Sequence, residues 1–140
     1  MHFWPGYCPT HARIRPEDIL RVKAEYPQAV VLVHPECRPE TSALADQVLS
    51  TGGMVRYVKT TTVKEIIVGT EVGFIYRLRK ENPGIKFIPA SEQAVCPRMK
   101  LITLEKILGS LQEMAPQVKV PENVRLRALK AVNAMLEIGS

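Results

Sequence analysis

The chain has 140 residues, of which 46% are hydrophobic and 24% are charged. These proportions are typical of a packed globular domain and exclude disordered and fibrous proteins. The longest apolar run, from Ala29 to Val33, is far shorter than the roughly 20 residues of a membrane-spanning helix, and the N-terminus lacks the basic and apolar regions of a secretion signal. We therefore expect a protein that neither spans a membrane nor is secreted.

The formal net charge of +5 favours anionic partners without specifying one. The basic residues are dispersed, and the aromatic residues do not alternate with Arg or Lys as in surfaces that stack bases, which disfavours nucleic-acid binding. The three cysteines, at positions 8, 37 and 96, are odd in number and widely spaced. This pattern disfavours a disulfide framework and suits a reducing cytoplasm, where such thiols are core residues, nucleophiles or metal ligands.

Helical patterns alternate along the chain with short apolar runs. We predict strands over residues 29–33, 64–69 and 85–89, a helix that begins near Pro16, and further helices over residues 40–49, 54–59, 72–80, 103–114 and 124–136. Strands that are joined by crossover helices pair in parallel. The pattern therefore predicts an α/β fold, a three-layer sandwich around a short parallel sheet.

Polar residues follow the predicted strands, at the edge where open parallel sheets bind ligands. His34 and Glu36 come directly after the first strand, and an imidazole beside a carboxylate suits acid–base catalysis. The same residues also fit a turn in which His34 caps a main-chain carbonyl group, so geometry decides between the two. Ser50, Thr51 and two glycines either bind a carboxylate or phosphate group or simply interrupt a helix.

The cysteines leave further alternatives open. Cys8 and His11 are three residues apart, a spacing that suits a metal site, although the second pair of ligands found in zinc ribbons is missing. Cys8 is explained equally well as a small buried residue. Cys96 lies in a predicted loop near two basic residues, which favour a thiolate. Cys37 lies in a turn without a comparable partner, and we interpret it as an inert thiol.

Five motifs together resemble the quinolinate synthase family, the iron–sulfur enzymes of de novo NAD biosynthesis. They are Trp4-Pro-Gly-Tyr-Cys8-Pro-Thr-His11, Val33-His-Pro-Glu-Cys37, Ser50-Thr-Gly-Gly-Met54, Gly69-Thr-Glu-Val-Gly73 with Arg77-Leu78, and Cys96-Pro-Arg-Met99-Lys100. Their order and intervals match the family over essentially the whole chain, whereas one motif alone would be unspecific. One departure is Gly52, where the family usually has Ser. His11 and Glu71 lie within these motifs without an assigned role.

The resemblance implies part of a pseudo-threefold architecture, in which three similar α/β domains surround one [4Fe-4S] cluster. Residues 1–14 would then end a preceding α/β domain, residues 15–95 would form an α/β domain, and residues 96–140 would form a cysteine loop and the closing helices. Cys8 and Cys96 would be two of the three cluster ligands. We expect a C-terminal portion, inactive by itself, that associates with a missing N-terminal half or with itself.

The resemblance also implies a reaction. Quinolinate synthase condenses iminoaspartate with dihydroxyacetone phosphate to give quinolinate, with loss of phosphate and two waters, and we expect this transferase reaction in the cytoplasm. A cluster with three thiolate ligands leaves one iron free to act as a Lewis acid. His34 and Glu36 would bind substrate and transfer protons, and Ser50 and Thr51 would anchor a carboxylate or phosphate group.

Two other classes of function stay open. A non-catalytic α/β module would recognise a small dicarboxylate or phosphorylated ligand through Ser50, Thr51 and His34. A basic protein would bind nucleic acid, although the dispersed charge disfavours this. Quinolinate binding without iron would indicate the first class, and steeply salt-dependent binding to RNA or DNA would indicate the second.

Overall fold

The computed structural model describes residues 6–138, so Trp4 and Pro5 of the first motif lie outside the described residues. The chain forms two compact units that divide between Pro97 and Arg98. The first unit contains α1 (Pro16–Glu25), β1 (Val30–Val33), α2 (Pro39–Ser42), β2 (Gln47–Val48), α3 (Thr51–Thr60), β3 (Glu65–Gly69), α4 (Gly73–Glu81) and β4 (Lys86–Pro89). The second unit contains α5 (Leu104–Glu113) and α6 (Glu122–Ile138). None of the described helices is long and apolar enough to cross a membrane.

The four strands form one parallel sheet in the order β2-β1-β3-β4. The central strands β1 and β3 pair in a register that places Val30 opposite Ile66 and Val33 opposite Gly69. Both strands are almost entirely buried, because helices cover both faces of the sheet, and this explains why they are apolar at nearly every position. The predicted α/β fold with a parallel sheet is confirmed.

Two hydrophobic cores lie on opposite faces of the sheet, since alternate residues of a strand point to opposite sides. In one core, Ile19 and Val22 of α1 pack with Val31, Val33 and Ile67. In the other core, side chains of α3 and α4 pack with the alternate strand residues, and its members are Leu32, Met54, Val55, Val58, Ile66, Val68, Ile75, Leu78 and Phe87. The helix, sheet and helix layers match the predicted three-layer sandwich.

Two of the predicted helix starts are confirmed in detail. Helix α1 begins at Pro16, and the Asp18 carboxylate accepts a hydrogen bond from the main-chain N–H of Arg15 at 3.0 Å. Helix α5 follows Thr103, whose side-chain hydroxyl accepts a hydrogen bond from the N–H of Lys106 at 3.4 Å. Both hydrogen bonds satisfy main-chain N–H groups at the start of a helix, where no carbonyl group of the same helix is available as a partner.

The predicted helix over residues 40–49 is wrong. Its first residues form the short helix α2, and its last residues form strand β2, which the sequence analysis missed. Main-chain bonding to β1 explains the difference, because the Asp46 N–H donates to the Val31 carbonyl oxygen and the Leu49 N–H donates to the Val33 carbonyl oxygen, both at 2.9 Å. The Asp46 carboxylate also accepts the Val31 N–H at 2.7 Å. Pairing with a neighbouring strand thus overrides the helical periodicity.

The helix predicted over residues 54–59 begins three residues earlier than expected, so the alternative in which residues 50–53 interrupt a helix is wrong. Helix α3 begins at Thr51 and contains both glycines in its first turn. Ser50 is its N-cap, and the Ser50 hydroxyl accepts a hydrogen bond from the N–H of Gly53 at 3.2 Å. The two glycines cost about 1 kcal/mol each relative to alanine, and the cap offsets part of this cost. Burial of Met54, Val55 and Val58 on the same helix stabilises it further.

Candidate functional site

The loops that follow neighbouring strands meet at the carboxyl edge of the sheet. The N–H of His34, just after β1, donates to the carbonyl oxygen of Gly69 at the end of β3, at 3.0 Å. Beyond β3, the Val72 N–H donates to the carbonyl oxygen of Ala94, in the loop after β4, at 3.0 Å. These bonds hold the predicted site segments together, as expected for the ligand-binding edge of a parallel sheet.

Two histidines and one carboxylate form the centre of this edge. The rings of His11 and His34 stack with centroids 4.3 Å apart and an interplanar angle of 9°. The Glu36 Oε2 atom lies 2.9 Å from His11 Nδ1 and 3.6 Å from His34 Nδ1. The structure therefore brings the predicted pair, His34 and Glu36, together and adds His11 to it.

His34 is held as a neutral imidazole with a defined tautomer. Its Nδ1 atom accepts a hydrogen bond from the main-chain N–H of Glu36 at 3.3 Å, so the ring proton of the neutral form is on Nε2. Burial lowers the pKa of His34, the neighbouring His11 lowers it further, and Glu36 opposes both effects. At neutral pH the His34 Nε2–H group is therefore a hydrogen-bond donor on an uncharged ring.

His11 is buried, with 8% of its surface exposed. Its Nε2 atom lies 2.8 Å from the hydroxyl oxygen of Thr70, which is also buried. Its Nδ1 atom has no hydrogen-bond partner among the described residues. Although Glu36 Oε2 is only 2.9 Å away, it lies out of line for a hydrogen bond, because distance alone is not sufficient. A buried polar atom without a hydrogen bond is costly and calls for a ligand or a functional explanation.

The three cysteines differ in their surroundings. Cys8 and Cys96 are partly exposed, whereas Cys37 is buried. The Cys37 thiol donates a hydrogen bond to the carbonyl oxygen of Gly69 at 3.5 Å. Burial raises the pKa of Cys37 to about 11, so this residue is a neutral thiol at physiological pH and a poor nucleophile or metal ligand.

Glu71 is a buried carboxylate that the sequence analysis left without a role. Its Oε2 atom accepts the N–H of Gly73 at the start of α4, at 2.8 Å, and its Oε1 atom accepts the N–H of Cys96 at 3.4 Å. The adjacent Thr70 hydroxyl contacts His11. Thr70 and Glu71 therefore connect the segments that carry the two partly exposed cysteines. The one sequence signal for this role was a Thr-Glu pair directly after a buried strand.

Ser50 and Thr51 lie in the neighbouring loop of the same edge, because β2 pairs with β1 and places Val48 opposite Val33. The Ser50 hydroxyl caps α3, and Thr51 is the first residue of that helix. Among the described contacts, neither hydroxyl hydrogen-bonds to His34 or Glu36. The predicted hydroxyl pair is thus at the same end of the sheet, without a hydrogen bond to His34 or Glu36 among the described contacts.

One group of side chains has the composition of a metal site. A ligand atom from each of Cys8, His11 and Glu36 lies within 4.8 Å of the other two. A cavity of about 500 Å³ opens beside them and is lined by Gly6, Tyr7, Cys8, Pro35 and Glu36. Thiol, imidazole and carboxylate groups at such distances can bind a transition metal after small adjustments of the side chains.

Comparison with known proteins identifies the family. The family model described as Quinolinate synthetase A protein matches residues 1–137. The chain belongs to this family. Curated relatives named quinolinate synthase are 62% identical over 135 residues in Dehalococcoides mccartyi strain CBDB1, 53% identical over 137 residues in Geotalea uraniireducens, and 53% identical over 135 residues in Thermodesulfovibrio yellowstonii. The matches cover 96–98% of this chain and 45% of each relative, so the chain spans about half the length of these proteins.

The resemblance to the quinolinate synthetase A family is therefore confirmed, and the fold explains why its motifs are dispersed along the chain. Each of the five motifs has residues in a loop after a strand or in a segment hydrogen-bonded to such a loop. The first motif is connected through His11 and Thr70, and the last is connected through Cys96 and Glu71. The parallel sheet thus gathers at one edge residues that are far apart in the sequence.

Proposed function

We propose that this chain is the part of a quinolinate synthase that supplies one side of the active site. The complete enzyme would condense iminoaspartate with dihydroxyacetone phosphate in the cytoplasm, as a transferase, and release quinolinate, phosphate and two waters. The observation that carries the proposal is the connection of the Cys8 and Cys96 segments to the adjacent residues Thr70 and Glu71. This arrangement supports the proposal because it holds the segments that carry the two cysteines beside the edge that carries His34 and Glu36.

The cysteines fit a [4Fe-4S] cluster in part. Cys8 and Cys96 are partly exposed, as thiolates that must bind an external group require. Cys37 does not fit, because it is buried and its raised pKa keeps it protonated. We propose Cys8 and Cys96 as two cluster ligands, with a third thiolate from outside this chain. The bound cluster would supply an iron atom that acts as a Lewis acid.

His34 and Glu36 would bind substrate and transfer protons. The neutral His34 ring carries its proton on Nε2, because Nδ1 accepts the Glu36 N–H, and this group suits hydrogen bonding to a substrate carboxylate. The Glu36 side chain is 55% exposed and can reach a ligand beside the histidines. Its carboxylate would accept protons in the condensation and donate them in the dehydration steps.

Ser50 and Thr51 would anchor an anionic group of the substrate. Helix α3 has ten residues and begins at Thr51, so the first-turn N–H groups and the Thr51 hydroxyl lie together at a positive helix end. The Ser50 hydroxyl already accepts the Gly53 N–H, which leaves its proton free to be donated. A substrate carboxylate or phosphate group is the ligand that these donors favour.

Anaerobic reconstitution with iron and sulfide tests the metal assignment, in the presence of the N-terminal half of the Dehalococcoides mccartyi relative, from which we propose the third thiolate comes. We expect the wild-type chain to retain iron and to show the broad visible absorption of an iron–sulfur cluster. Cys8→Ser and Cys96→Ser should each lose iron and absorption. Cys37→Ser is the matched control and should retain both, because the Cys37 thiol is buried against Gly69. Absence of iron from the wild-type chain, or equal loss in all three variants, would overturn the assignment.

A second experiment tests the activity. The chain would be mixed with, or fused to, the N-terminal half of the Dehalococcoides mccartyi relative, which is 62% identical over the shared part. We expect quinolinate formation that is lost in His34→Ala and Glu36→Ala. If no quinolinate forms although the cluster is present, the catalytic proposal fails. Quinolinate binding by the iron-free chain would then favour a module that binds small dicarboxylates.

A further inference from the structure

The His11 Nδ1 atom is the starting point, because the proposed cluster chemistry gives it no role. The atom is buried and has no hydrogen-bond partner in the described part of the chain. The opposite nitrogen, Nε2, lies 2.8 Å from the hydroxyl of the buried Thr70. A histidine that binds a metal through one nitrogen commonly donates its other N–H to an oxygen atom, which fixes the ring orientation and the tautomer. The contact between His11 Nε2 and the Thr70 hydroxyl fits this arrangement for the tautomer with its proton on Nε2.

Two further donors surround the same atom. Cys8 precedes His11 by three residues, and Glu36 belongs to the next loop, with one ligand atom from each of the three residues within 4.8 Å of the other two. In a tetrahedral zinc site, neighbouring ligand atoms are about 3.5 Å apart. A shift of about 1 Å in flexible side chains therefore completes three corners of a tetrahedron. The cavity beside Cys8 and Glu36 leaves room for a water molecule at the fourth corner.

We propose that Cys8, His11 and Glu36 bind one divalent transition-metal ion of the Zn²⁺ type. Thiolate, imidazole and carboxylate together select a borderline-soft ion over Mg²⁺ or Ca²⁺, which prefer oxygen ligands. The ion completes the coordination of His11 Nδ1 and removes the cost of leaving it buried without a partner. His34 is not a ligand through Nδ1, because that atom accepts the Glu36 N–H.

The site has a consequence for the proposed function. Cys8 is shared between this mononuclear site and the proposed iron–sulfur cluster, so the two metals exclude each other. This consequence rests on the proposed cluster, whereas the ion site itself does not. A chain that holds Zn²⁺ at Cys8 would resist loading with iron and sulfide until the ion is removed.

Titration of the metal-free chain with Zn²⁺ and Co²⁺, in the presence of a reductant, tests the site. We expect one ion per chain, and Co²⁺ should give the intense visible bands of tetrahedral coordination with a thiolate ligand. Cys8→Ser, His11→Ala and Glu36→Ala should each weaken Zn²⁺ binding by roughly tenfold or more, and Thr70→Val by roughly 10–100-fold through loss of the bond that orients His11. Cys37→Ser is the control and should bind like the wild type.

The result does not depend on the folding of the variants, because NMR of the wild-type chain provides a second measurement. Zn²⁺ should shift the Nδ1 resonance of His11 and leave its Nε2–H group protonated. A wild-type chain that binds no Zn²⁺ at micromolar concentration, or a His11 resonance that does not respond, overturns the proposal. Unchanged affinity in folded His11→Ala does the same.

Two variants distinguish this inference from the proposed function. Cys96→Ser should lose iron after reconstitution but keep Zn²⁺, because Cys96 is not a ligand of the ion. His11→Ala should lose Zn²⁺ but keep iron, because the cluster ligands are cysteines. If iron binding persists and Zn²⁺ binding fails, the ion site alone is wrong. If Zn²⁺ binding persists and iron binding fails, the cluster assignment alone is wrong.

Discussion

His11 and His34 stack face to face with their ring centroids 4.3 Å apart, although 22 residues separate them in the chain. Two parallel imidazole rings at this distance repel each other when both are protonated. The Glu36 carboxylate lies beside both Nδ1 atoms and offsets part of that repulsion. Burial is the larger cause of the lowered pKa of His34, the stack with His11 lowers this pKa further, and Glu36 acts in the opposite direction.

The first prediction concerns the pKa of His34 in the metal-free chain, measured by NMR titration. In the wild type this pKa should lie below the ordinary value of 6.5. Glu36→Gln should lower it further, since a stabilising negative charge is removed. His11→Ala should raise it, because one source of repulsion is lost and solvent gains access. Shifts of the same sign in the two variants would contradict this account.

The second prediction concerns the close approach of β1 and β3. A Cβ atom added at Gly69 would lie 2.8 Å from Val33 Cγ1, a clash within the central pair of strands. Gly69→Ala should lower the free energy of unfolding by about 1–3 kcal/mol, as overpacked core substitutions do. Urea denaturation followed by circular dichroism measures the change.

Gly84→Ala is the matched control for Gly69→Ala. A Cβ atom added at Gly84 meets no other atom within 4 Å, and the residue does not have a positive φ. Its substitution should change the free energy of unfolding by no more than about 0.5 kcal/mol, or raise it slightly by restricting the unfolded chain. Equal destabilisation by the two substitutions would refute the steric explanation.

The third prediction assigns Glu71 to positioning the Cys96 segment. Glu71→Ala removes the acceptor for the N–H groups of Gly73 and Cys96, and the loss of each hydrogen bond at these partly buried positions costs about 0.5–1.5 kcal/mol. We expect lower stability and faster alkylation of Cys96 relative to Cys8. Glu92→Ala, at an exposed carboxylate in the same loop, should change neither measurement. If the two variants behave alike, Glu71 has no positioning role.

The fourth prediction is a loss of stability at alkaline pH that Cys37 causes. Its pKa is raised from 9.0 to about 11 in the folded chain, so the folded state favours the neutral thiol. This contribution is fully present below pH 9 and is lost as the pH rises towards 11, by about 2–3 kcal/mol at most.

Comparison of variants separates the loss of stability that Cys37 causes from the loss caused by other groups that titrate at high pH. Cys37→Ser lacks the thiol and should lose less stability than the wild type between pH 8 and 11 in urea denaturation. Cys8→Ser retains Cys37 and removes only the smaller Coulombic effect of Cys8 on it, so its loss of stability should be closer to that of the wild type than to that of Cys37→Ser. An identical alkaline slope in the wild type and in Cys37→Ser would show that the buried thiol is not responsible.

Local sequence patterns predicted most of the fold. The apolar runs at β1 and β3 indicated buried parallel strands, because neighbouring helices cover both faces of such strands. Pro16 and Thr103 predicted two helix starts correctly, since a fixed φ and a capping hydroxyl act on residues nearby in the chain. The motifs around Cys8, His34 and Cys96 also predicted the family. Each motif is a short local segment, so it can be recognised in the sequence without knowledge of the fold.

Only the tertiary structure decided how these segments meet. Strand β2 has two residues and no strand pattern of its own, and it exists because β1 offers main-chain partners. His11 reaches Thr70 across 59 positions, and Glu71 reaches Cys96 across 25. Such contacts depend on the crossover of parallel strands rather than on local propensity. The sequence by itself therefore determined the fold class, the family and the candidate residues, whereas the partner of each side chain was decided by the sheet that brings distant loops to one edge.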